Sequence, residues 1–357
     1  MILARYLIGQ IGRATLAILG VLAALFASYS AERFFGDASR GLLPLAIAAR
    51  MIGLELLISL EVLIPISLFL AVVLVFGRLN SDSEVVAMYA LRVTPARVRH
   101  AVLVLAGGLA VLVALLSLFA RPWAYAQMHA ISRHAQGALN VDAIQAGSFY
   151  VARQGNLVIY LGHRDGPAAP ARGVFVRRRQ EGVNEVIHAA AGYRLPPEKK
   201  GGDPRILLRD AHVVELATGE MVSAASLTVD PYLHFHGPPP YSPLAAGTWH
   251  LARSREPADV AELQWRLSTG ISTLLLALLG IPLGETRPRQ GRHEKFGVAV
   301  LIYAAYYLAS SSARTWVQNG VVPPIPGLWW APGLLALVAL VATYGPELWP
   351  RVRRRWA

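Results

Sequence analysis

Residues 56–76 read LLISLEVLIPISLFLAVVLVF, a run that carries a single charged side chain, Glu61. The hydrocarbon core of a bilayer is about 30 Å thick, and a helix needs roughly 20 apolar residues to cross it. The stretch is long and apolar enough to do so, and it is longer than the buried helices typical of soluble domains. It therefore predicts a protein built around transmembrane helices.

Further apolar stretches lie on either side of this one. The chain is 54% hydrophobic and only 16% charged, whereas soluble domains carry about 25% charged residues, so a conventional soluble enzyme is excluded. The spans form a three-plus-three arrangement around a long polar insert. The further predicted spans are residues 14–30, 101–120, 267–283, 298–313 and 328–344.

Charged residues in the short loops predict the orientation, because cytoplasmic loops carry an excess of Lys and Arg. Both termini and the loops after the second and fourth spans are basic, so we expect them in the cytoplasm and the insert outside. The insert 122–265 holds 14 cations and 13 anions, so almost all of the net charge of +12 belongs to the membrane-flanking segments rather than to a nucleic-acid surface. The cations concerned are Arg5, Arg13, Arg78, Arg92, Arg97, Arg99, Arg287, Arg289, Arg292, Lys295, Arg351, Arg353, Arg354 and Arg355.

The insert predicts a β domain. Short runs rich in β-branched and aromatic residues alternate with Gly, Pro and Asn turns, a spacing typical of an antiparallel sandwich or jelly roll. A short amphipathic helix at 124–138 precedes the strands and a helix at 256–266 follows them. The expected strands are residues 148–153, 157–162, 174–179, 185–193, 205–209, 212–216 and 226–235.

The expected fold class is therefore an α-helical integral membrane protein with six transmembrane helices and an inserted, external, antiparallel β domain of the jelly-roll type. Residues 1–121 hold the first three spans, with a short cytoplasmic helix near 81–91. Residues 122–265 hold the β domain and its helical connectors. Residues 266–357 hold the last three spans and a basic cytoplasmic tail.

Sequence motifs for catalysis or cofactor binding are missing. The chain has no cysteine, which excludes disulfides, iron–sulfur clusters and thiolate metal sites. A P-loop needs Gly-Lys-Ser/Thr, and none of Lys199, Lys200 and Lys295 follows a glycine. We therefore expect no enzymatic activity and no cofactor on this chain. His234 and His236 would share one face of a strand, but no third ligand accompanies them, so ordinary strand positions are preferred to a metal site.

The cytoplasmic stretch 81–91 predicts a short helix with two possible roles. Ser81 and Glu84 have the spacing of a capping box, which indicates a well-capped loop helix. A permease without an ATP site of its own also needs a cytoplasmic helix that a separate ATPase can bind. The local pattern does not separate the two interpretations. The residues available for such a contact are Asp82, Ser83, Glu84, Val85, Met88 and Tyr89.

Polar residues at membrane level are candidates for a substrate cleft. Ionisable groups inside a membrane are costly and commonly mark a functional path, which singles out Arg33 at the end of the first span and Glu61 in the second. The alternative is that both reach the lipid headgroups. Tyr303 and Tyr307, four residues apart on the fifth span, either line a cleft or serve helix packing.

Several motifs together resemble the LptF/LptG family of lipopolysaccharide export permeases. The match extends over both membrane halves, while the insert is too divergent to compare by eye. The motif at 288–292 favours the LptF branch of the family over the LptG branch. The matching pieces are RYL at 5–7, GRL at 77–79 with DSE at 82–84, ELQWRL at 262–267, IPL at 281–283 and PRQGR at 288–292.

The resemblance implies a permease subunit of an ABC transporter in the Gram-negative inner membrane. Such a subunit pairs with an LptG-like permease around a cleft that opens to the membrane. An LptB-like ATPase dimer, which holds the ATP and magnesium, drives it from the cytoplasm. The periplasmic β domains pass lipopolysaccharide to an LptC-like single-span protein and a periplasmic bridge.

The resemblance also assigns roles to individual residues. Glu84 falls where family members place the acidic residue of the coupling helix, which contacts the ATPase. Arg33 falls where the family has a cation facing the lipid A phosphates, a role that suits a guanidinium. The chain departs from the family at Ser30, where some relatives carry a second cation, and at 90–94, which lacks the usual Ala-Cys/Ser-Gly-type run.

Two rival functions make different structural predictions. A mechanotransducing permease would transmit force through its external domain, which predicts a polar, filled interior there, whereas lipid transfer predicts an apolar groove. An intramembrane enzyme using Glu32, Glu61 or the external histidines would bring catalytic groups within hydrogen-bond reach, and nothing in their spacing indicates that.

Overall fold

The computed structural model describes residues 2–39, 45–137, 147, 149–152, 157–164, 169–180, 183–195, 205–215, 221–229, 241–284 and 292–353. Helices dominate both ends of this part of the chain and strands its middle. The helices are α1 (Ile2–Ser39), α2 (Leu45–Ser81), α3 (Glu84–Ala90), α4 (Pro95–Leu115), α5 (Arg121–Gly137), α6 (Thr248–Arg253), α7 (Pro257–Gly284), α8 (Arg292–Gln318) and α9 (Trp330–Arg353), with a π-helical turn at Leu116–Ala120. The strands are β1 (Phe149–Ala152), β2 (Leu157–His163), β3 (Ala171–Gln180), β4 (Val183–Leu195), β5 (Arg205–Glu215) and β6 (Met221–Val229).

Five helical segments of the described chain are long and apolar enough to cross a membrane, and they contain the first five predicted spans. The sixth predicted span, 328–344, overlaps α9 from Trp330 onward, and the apolar part of this helix, Trp330–Gly345, is shorter than the others. Pro346 and Glu347 follow directly and limit its apolar length. The count of six is therefore not established by helix length. The five longer segments are Ile2–Gly36, Leu45–Ser81, Pro95–Ser132, Pro257–Gly284 and Lys295–Gln318.

The chain divides into two compact units. The first contains Met1–Tyr29, Gly53–Ala126 and Tyr241–Ala357, and the second contains Ser30–Ile52 and Gln127–Pro240. This division differs from the predicted boundary at residue 265, because residues 241–265 group with the helices of the first unit. The predicted helix 256–266 and the predicted fourth span are one continuous helix, α7.

The first unit is organised around the packing of α7 against α2 and α4. Small residues let transmembrane helices approach closely, and α7 supplies three at its contacts. A Cβ added at Gly270 would lie 3.2 Å from the Ala110 carbonyl oxygen, and one added at Gly280 would lie 2.9 Å from a methyl group of Val72. At Gly284 the added Cβ would meet the Phe76 Cβ at 2.5 Å.

The second unit contains a six-stranded antiparallel sheet with strand order β1-β2-β3-β4-β5-β6. The predicted antiparallel β domain is thus confirmed, and its described strands follow one another in chain order as a meander. Alternate residues of a strand normally lie on one face. Buried apolar residues of β2–β5 form one cluster, in which the three-residue spacings 171–174 and 208–211 span the left-handed residues Gly173 and Asp210. Its buried members are Ile159, Leu161, Ala171, Val174, Ile187, Ala189, Leu208 and Ala211.

Two strand predictions differ from the structure. The predicted strands 205–209 and 212–216 are one strand, β5, in which Asp210 adopts a left-handed conformation with φ of 50°. An Asp tolerates this conformation better than most residues, so the strand continues through a residue that reads as a turn. β6 begins at Met221, ahead of the predicted start at 226, and residues 230–240, with His234 and His236, lie outside the described part.

We predict that Gly284→Ala destabilises the protein. The new methyl group overlaps the Phe76 Cβ and lies 3.0 Å from the Val73 carbonyl oxygen, and overpacking of this kind costs about 1–3 kcal/mol. The measurement is the apparent melting temperature of the detergent-solubilised protein. Gly108→Ala on α4 is the control, because a Cβ there meets nothing within 4 Å and helix propensity favours Ala by about 1 kcal/mol. Equal melting temperatures for the two variants would contradict the prediction.

Candidate functional site

An open pocket with a cavity volume of about 40 Å³ lies between α2, α7 and α8 in the first unit. It brings together three of the predicted cleft residues, Glu61, Tyr303 and Tyr307. The two tyrosine rings are stacked with centroids 6.4 Å apart, and Trp265 meets Tyr307 edge-on at 6.1 Å. The lining combines aromatic rings, hydroxyl groups and a carboxylate: Glu61, Val62, Pro65, Trp265, Ser268, Thr269, Ser272, Leu276, Tyr303, Tyr306, Tyr307 and Ser310.

The wall of the pocket on α2 is shaped by Pro65. A proline has no backbone N–H to donate to the carbonyl four residues before it, here that of Glu61. At the next carbonyl, that of Val62, the Tyr303 hydroxyl donates a hydrogen bond of 3.0 Å from α8. The Ser272 and Tyr306 hydroxyls are hydrogen-bonded to each other across α7 and α8. Hydroxyl groups thus join the three helices around the pocket.

Glu61 is held by groups from three different elements. Its Oε1 accepts hydrogen bonds from the Ser117 hydroxyl in the π-helical turn (3.0 Å) and from the Trp265 indole on α7 (2.9 Å). Its Oε2 lies 3.2 Å from the Arg121 Nε at the start of α5. The side chain is 3% exposed, so these partners replace the water that a carboxylate would otherwise need. Glu61 is therefore a fixed acceptor in the pocket wall.

Glu262 on α7 is the centre of the network. Three guanidinium groups surround this carboxylate, which is 1% exposed. Arg121 Nη1 lies 3.1 Å from its Oε1, Arg266 Nε lies 2.9 Å from the same oxygen, and Arg314 Nη2 lies 2.7 Å from Oε2. Since Arg314 belongs to α8 and Arg121 to α5, one carboxylate joins three helices.

Arg266 connects this carboxylate to the chain that returns from the β domain. The side chain is fully buried, and its terminal nitrogens donate to the carbonyls of Pro243, Leu244 and Ala246 at 3.0–3.2 Å. It also donates to the Thr248 hydroxyl at 3.0 Å. We call residues 241–253 the return segment. Five hydrogen bonds from one guanidinium use the planar fork that distinguishes Arg from Lys.

Two further contacts fix the return segment. The Thr248 hydroxyl donates to the Leu118 carbonyl in the π-helical turn at 2.6 Å. The Tyr241 hydroxyl donates to the Asp259 carboxylate at 2.6 Å, and partial burial together with this carboxylate raises the pKa of Tyr241 to about 12. The segment is therefore bonded both to the third predicted span and to α7.

The motif ELQWR at 262–266 gives each of its polar residues a separate contact. Gln264 accepts from the Leu328 N–H at 2.9 Å and donates to the Pro324 carbonyl at 2.7 Å, which holds the loop between α8 and α9. Glu262, Trp265 and Arg266 act in the network described above. In the sequence, the four-residue spacing of Glu262 and Arg266 and the charge of Arg314 directly after the predicted span 298–313 indicate this network. Arg121, Arg266 and Arg314 are not among the site residues predicted from the sequence.

Arg33 belongs to the second unit, where its guanidinium lies over the Phe34 ring at 4.5 Å. Glu32, beside it, is also exposed. The assignment of Arg33 to a substrate cleft stays a prediction. Nearby, Phe34, Ala48 and Met51 form a small apolar cluster with parts of α5, including Met128 and Ile131.

The predicted coupling helix is α3, and its start differs from the prediction. The capping box between Ser81 and Glu84 is not formed, because Ser81 still belongs to α2 and the helix begins at Glu84. Ser83 precedes it in a left-handed conformation with φ of 58° and makes no side-chain cap. Glu84 instead accepts a hydrogen bond of 2.9 Å from the Tyr6 hydroxyl. Its carboxylate thus lies next to α1.

Burial separates the predicted contact residues of α3 into two groups. Val85 and Met88 are buried among the helices of the same chain, and their role as contact residues for a partner stays a prediction. Tyr89 is 42% exposed, and Val86 and Leu91, which had not been selected, are 65% and 80% exposed. Asp82 and Ser83 are exposed as well. α3 and the residue after it therefore expose an aromatic ring, Tyr89, and two aliphatic side chains, Val86 and Leu91.

We predict a strong energetic coupling between Glu61 and Arg121. Arg121→Gln leaves the buried Glu61 carboxylate without its cation, and breaking such a pair costs about 3–5 kcal/mol. Glu61→Gln is expected to have a similar cost. The double variant Glu61→Gln/Arg121→Gln removes both charges of this pair. Its loss of stability should therefore be smaller than the sum of the losses in the two single variants. Apparent melting temperatures of the four proteins measure the coupling, and strictly additive losses would exclude it.

We predict that Arg92→Gly stabilises α3. Arg92 has φ of 60°, and the Arg92 and Val93 N–H groups bond back to the carbonyls of Tyr89 and Met88, the Schellman arrangement that usually places Gly at this position. Relief of the left-handed conformation should contribute about 1 kcal/mol. Amide hydrogen exchange across residues 84–93 measures the gain. Arg92→Ala, which removes the charge and keeps the strain, should show no gain, and equal protection in the two variants would refute the account.

Comparison of the sequence with known proteins identifies the family of the chain. The sequence model described as lipopolysaccharide export system permease LptF/LptG matches residues 5–344. The lipopolysaccharide export system permease protein LptF of Escherichia coli K12 is 25% identical over 373 aligned residues, which cover 99% of this chain and 96% of the relative. The protein of the same name from Shigella flexneri gives the same figures. The resemblance noted in the motifs is thereby confirmed, and the chain belongs to the LptF/LptG family of lipopolysaccharide export permeases.

Proposed function

We propose that the chain is the LptF-type permease subunit of an ABC transporter that extracts lipopolysaccharide from the Gram-negative inner membrane. An LptG-like permease would complete the cleft, and an LptB-like ATPase dimer would supply the energy. An LptC-like single-span protein and a periplasmic bridge would accept the lipid. The match to the family over residues 5–344 is the observation that carries the proposal, and the LptF relatives favour this branch over LptG.

The pocket supports a role in holding an amphipathic lipid rather than in chemistry. Its hydroxyl groups and aromatic rings offer hydrogen bonds and apolar contacts to the junction between acyl chains and sugar headgroup. Its carboxylate, Glu61, is occupied by Ser117, Trp265 and Arg121, so it is committed to structure and not poised for proton transfer. An intramembrane enzyme using Glu61 is therefore the weaker alternative.

The apolar face of the sheet supports lipid transfer over force transmission alone. The cross-strand pairs Ile159–Val176, Val176–Ile187 and Ile187–Val213 continue the apolar face across four strands. A mechanotransducing permease has no need of such a continuous surface. In the proposed transporter, this face receives acyl chains as they leave the membrane.

α2 offers a direct connection between α3 and the pocket. It runs without interruption from Leu45 to Ser81, and α3 begins three residues later. Glu61 and Ser81 are 20 positions apart on this helix, which is about 30 Å at 1.5 Å per residue. ATP-driven closure of the partner dimer would move α3 and the attached end of α2 as a rigid body, and the pocket wall at Glu61 would move with it.

Co-purification from the native membrane tests the proposal. We expect an ABC ATPase and a second permease of the same family to purify with the wild-type chain. Glu84→Gln, which removes the charge but keeps the size, should lose the ATPase or uncouple its hydrolysis from lipopolysaccharide release.

Tyr6→Phe is the matched control, since it removes the hydrogen bond to Glu84 and leaves the carboxylate in place. This variant should retain the ATPase. Equal loss in both variants would show that Glu84 acts only within its own chain. Absence of any ATPase from the wild-type preparation would refute the transporter assignment.

A further inference from the structure

The β domain is connected to the helices of the first unit by two stretches of chain. The chain leaves through α5, which starts at Arg121, and comes back through the return segment, which starts at Tyr241. A shift of the helices can reach the β domain through stretches of chain that are held firmly to them. The question is therefore which helix holds each of the two.

Both are held at the same carboxylate. Glu262 binds Arg121, at the start of the outgoing stretch, with an N–O distance of 3.1 Å. It also binds Arg266 at 2.9 Å, and Arg266 donates four hydrogen bonds to the return segment. Thr248 adds a link from the return segment to the π-helical turn directly before Arg121. π-Helical turns inside α-helices are frequent at functional sites.

We propose that Glu262 and Arg266 are positioning residues that make both connections of the β domain move together with α7. The proposal rests on the proposed function and adds where the motion passes from the membrane helices to the lipid-accepting domain. Arg121 and Glu262 form a buried ion pair, and the contacts of Arg266 are charge-assisted hydrogen bonds. Such contacts hold a fixed geometry in a low-dielectric environment. When α7 shifts against α2, the outgoing and returning stretches shift with it.

The proposal separates two steps that would otherwise be affected together. Occupation of the pocket depends on α2, α7 and α8 and should survive the release of the two connections. Passage of lipid from the pocket to the sheet needs the β domain to stay in step with the helices. Substitutions of Glu262 should therefore reduce the passage of lipid to the sheet and leave occupation of the pocket unchanged.

The test uses the complete complex in liposomes containing lipopolysaccharide, with a photo-crosslinking amino acid at one of two positions. One probe replaces Tyr307 in the pocket, and the other replaces Leu227 on the apolar face of β6. Transfer is measured after ATP addition as the ratio of the lipid adduct at position 227 to the lipid adduct at position 307. We expect Glu262→Gln and Arg266→Met to lower this ratio about tenfold, within the usual range for coupling between sites.

Arg314→Met is the control matched for stability. It removes one of the three ion pairs of Glu262 but touches neither connection, so the melting temperature should fall while the adduct ratio stays within about twofold of wild type. Arg255→Met, at an exposed position next to the return segment, should leave both quantities unchanged. If Arg266→Met does not assemble, Arg266→Lys provides the same test, because it keeps the charge and loses the fork.

The outcomes are distinct. An unchanged ratio in Glu262→Gln and in the Arg266 variant overturns the inference and leaves the proposed function standing. An equal fall in Arg314→Met also overturns it, since stability alone would then explain the loss. Wild-type complex without a lipid adduct at position 307 overturns the proposed function and the inference with it.

Discussion

The architecture of the first unit depends on one buried carboxylate, Glu262, whose charge is compensated by protein groups in place of water. An isolated carboxylate in such a place would be prohibitively expensive. Three guanidinium groups from α5, α7 and α8 compensate it, and this requirement fixes the relative positions of those helices more tightly than apolar contacts could. Apolar packing between lipid-facing helices is poorly directional, whereas a charged hydrogen bond specifies distance and angle.

The pocket follows from the same constraint. Arg121 extends the network to Glu61 and so places the wall on α2 opposite Trp265 and the stacked tyrosines of α8. Close approach at Gly280 and Gly284 brings α2 near enough to α7 for this bridge to form. Glycine contacts and buried charges therefore cooperate: the former allow the helices to meet, and the latter determine the register in which they do.

Composition and periodicity were sufficient for five of the spans and for the β domain, because both depend on hydrophobic patterning that each segment carries by itself. Tyr303 and Tyr307 could be selected as neighbours, since their spacing places them on one face of a helix. The Glu262 network could not, because its members lie up to 193 positions apart, from Arg121 to Arg314, and their meeting is a tertiary event. α3 shows the same limit, as its capping-box spacing was overridden by the continuation of α2 through Ser81.

The order of the strands has a consequence for synthesis. Each strand of the meander pairs with the one made just before it, so the sheet can form progressively during translation, with the short sequence separations that favour rapid folding. The carboxylate that unites the helices is in a later part of the chain and meets Arg314 only when α8 has been inserted. Assembly of the membrane part is thus completed from the C-terminal side, after the β domain has been made.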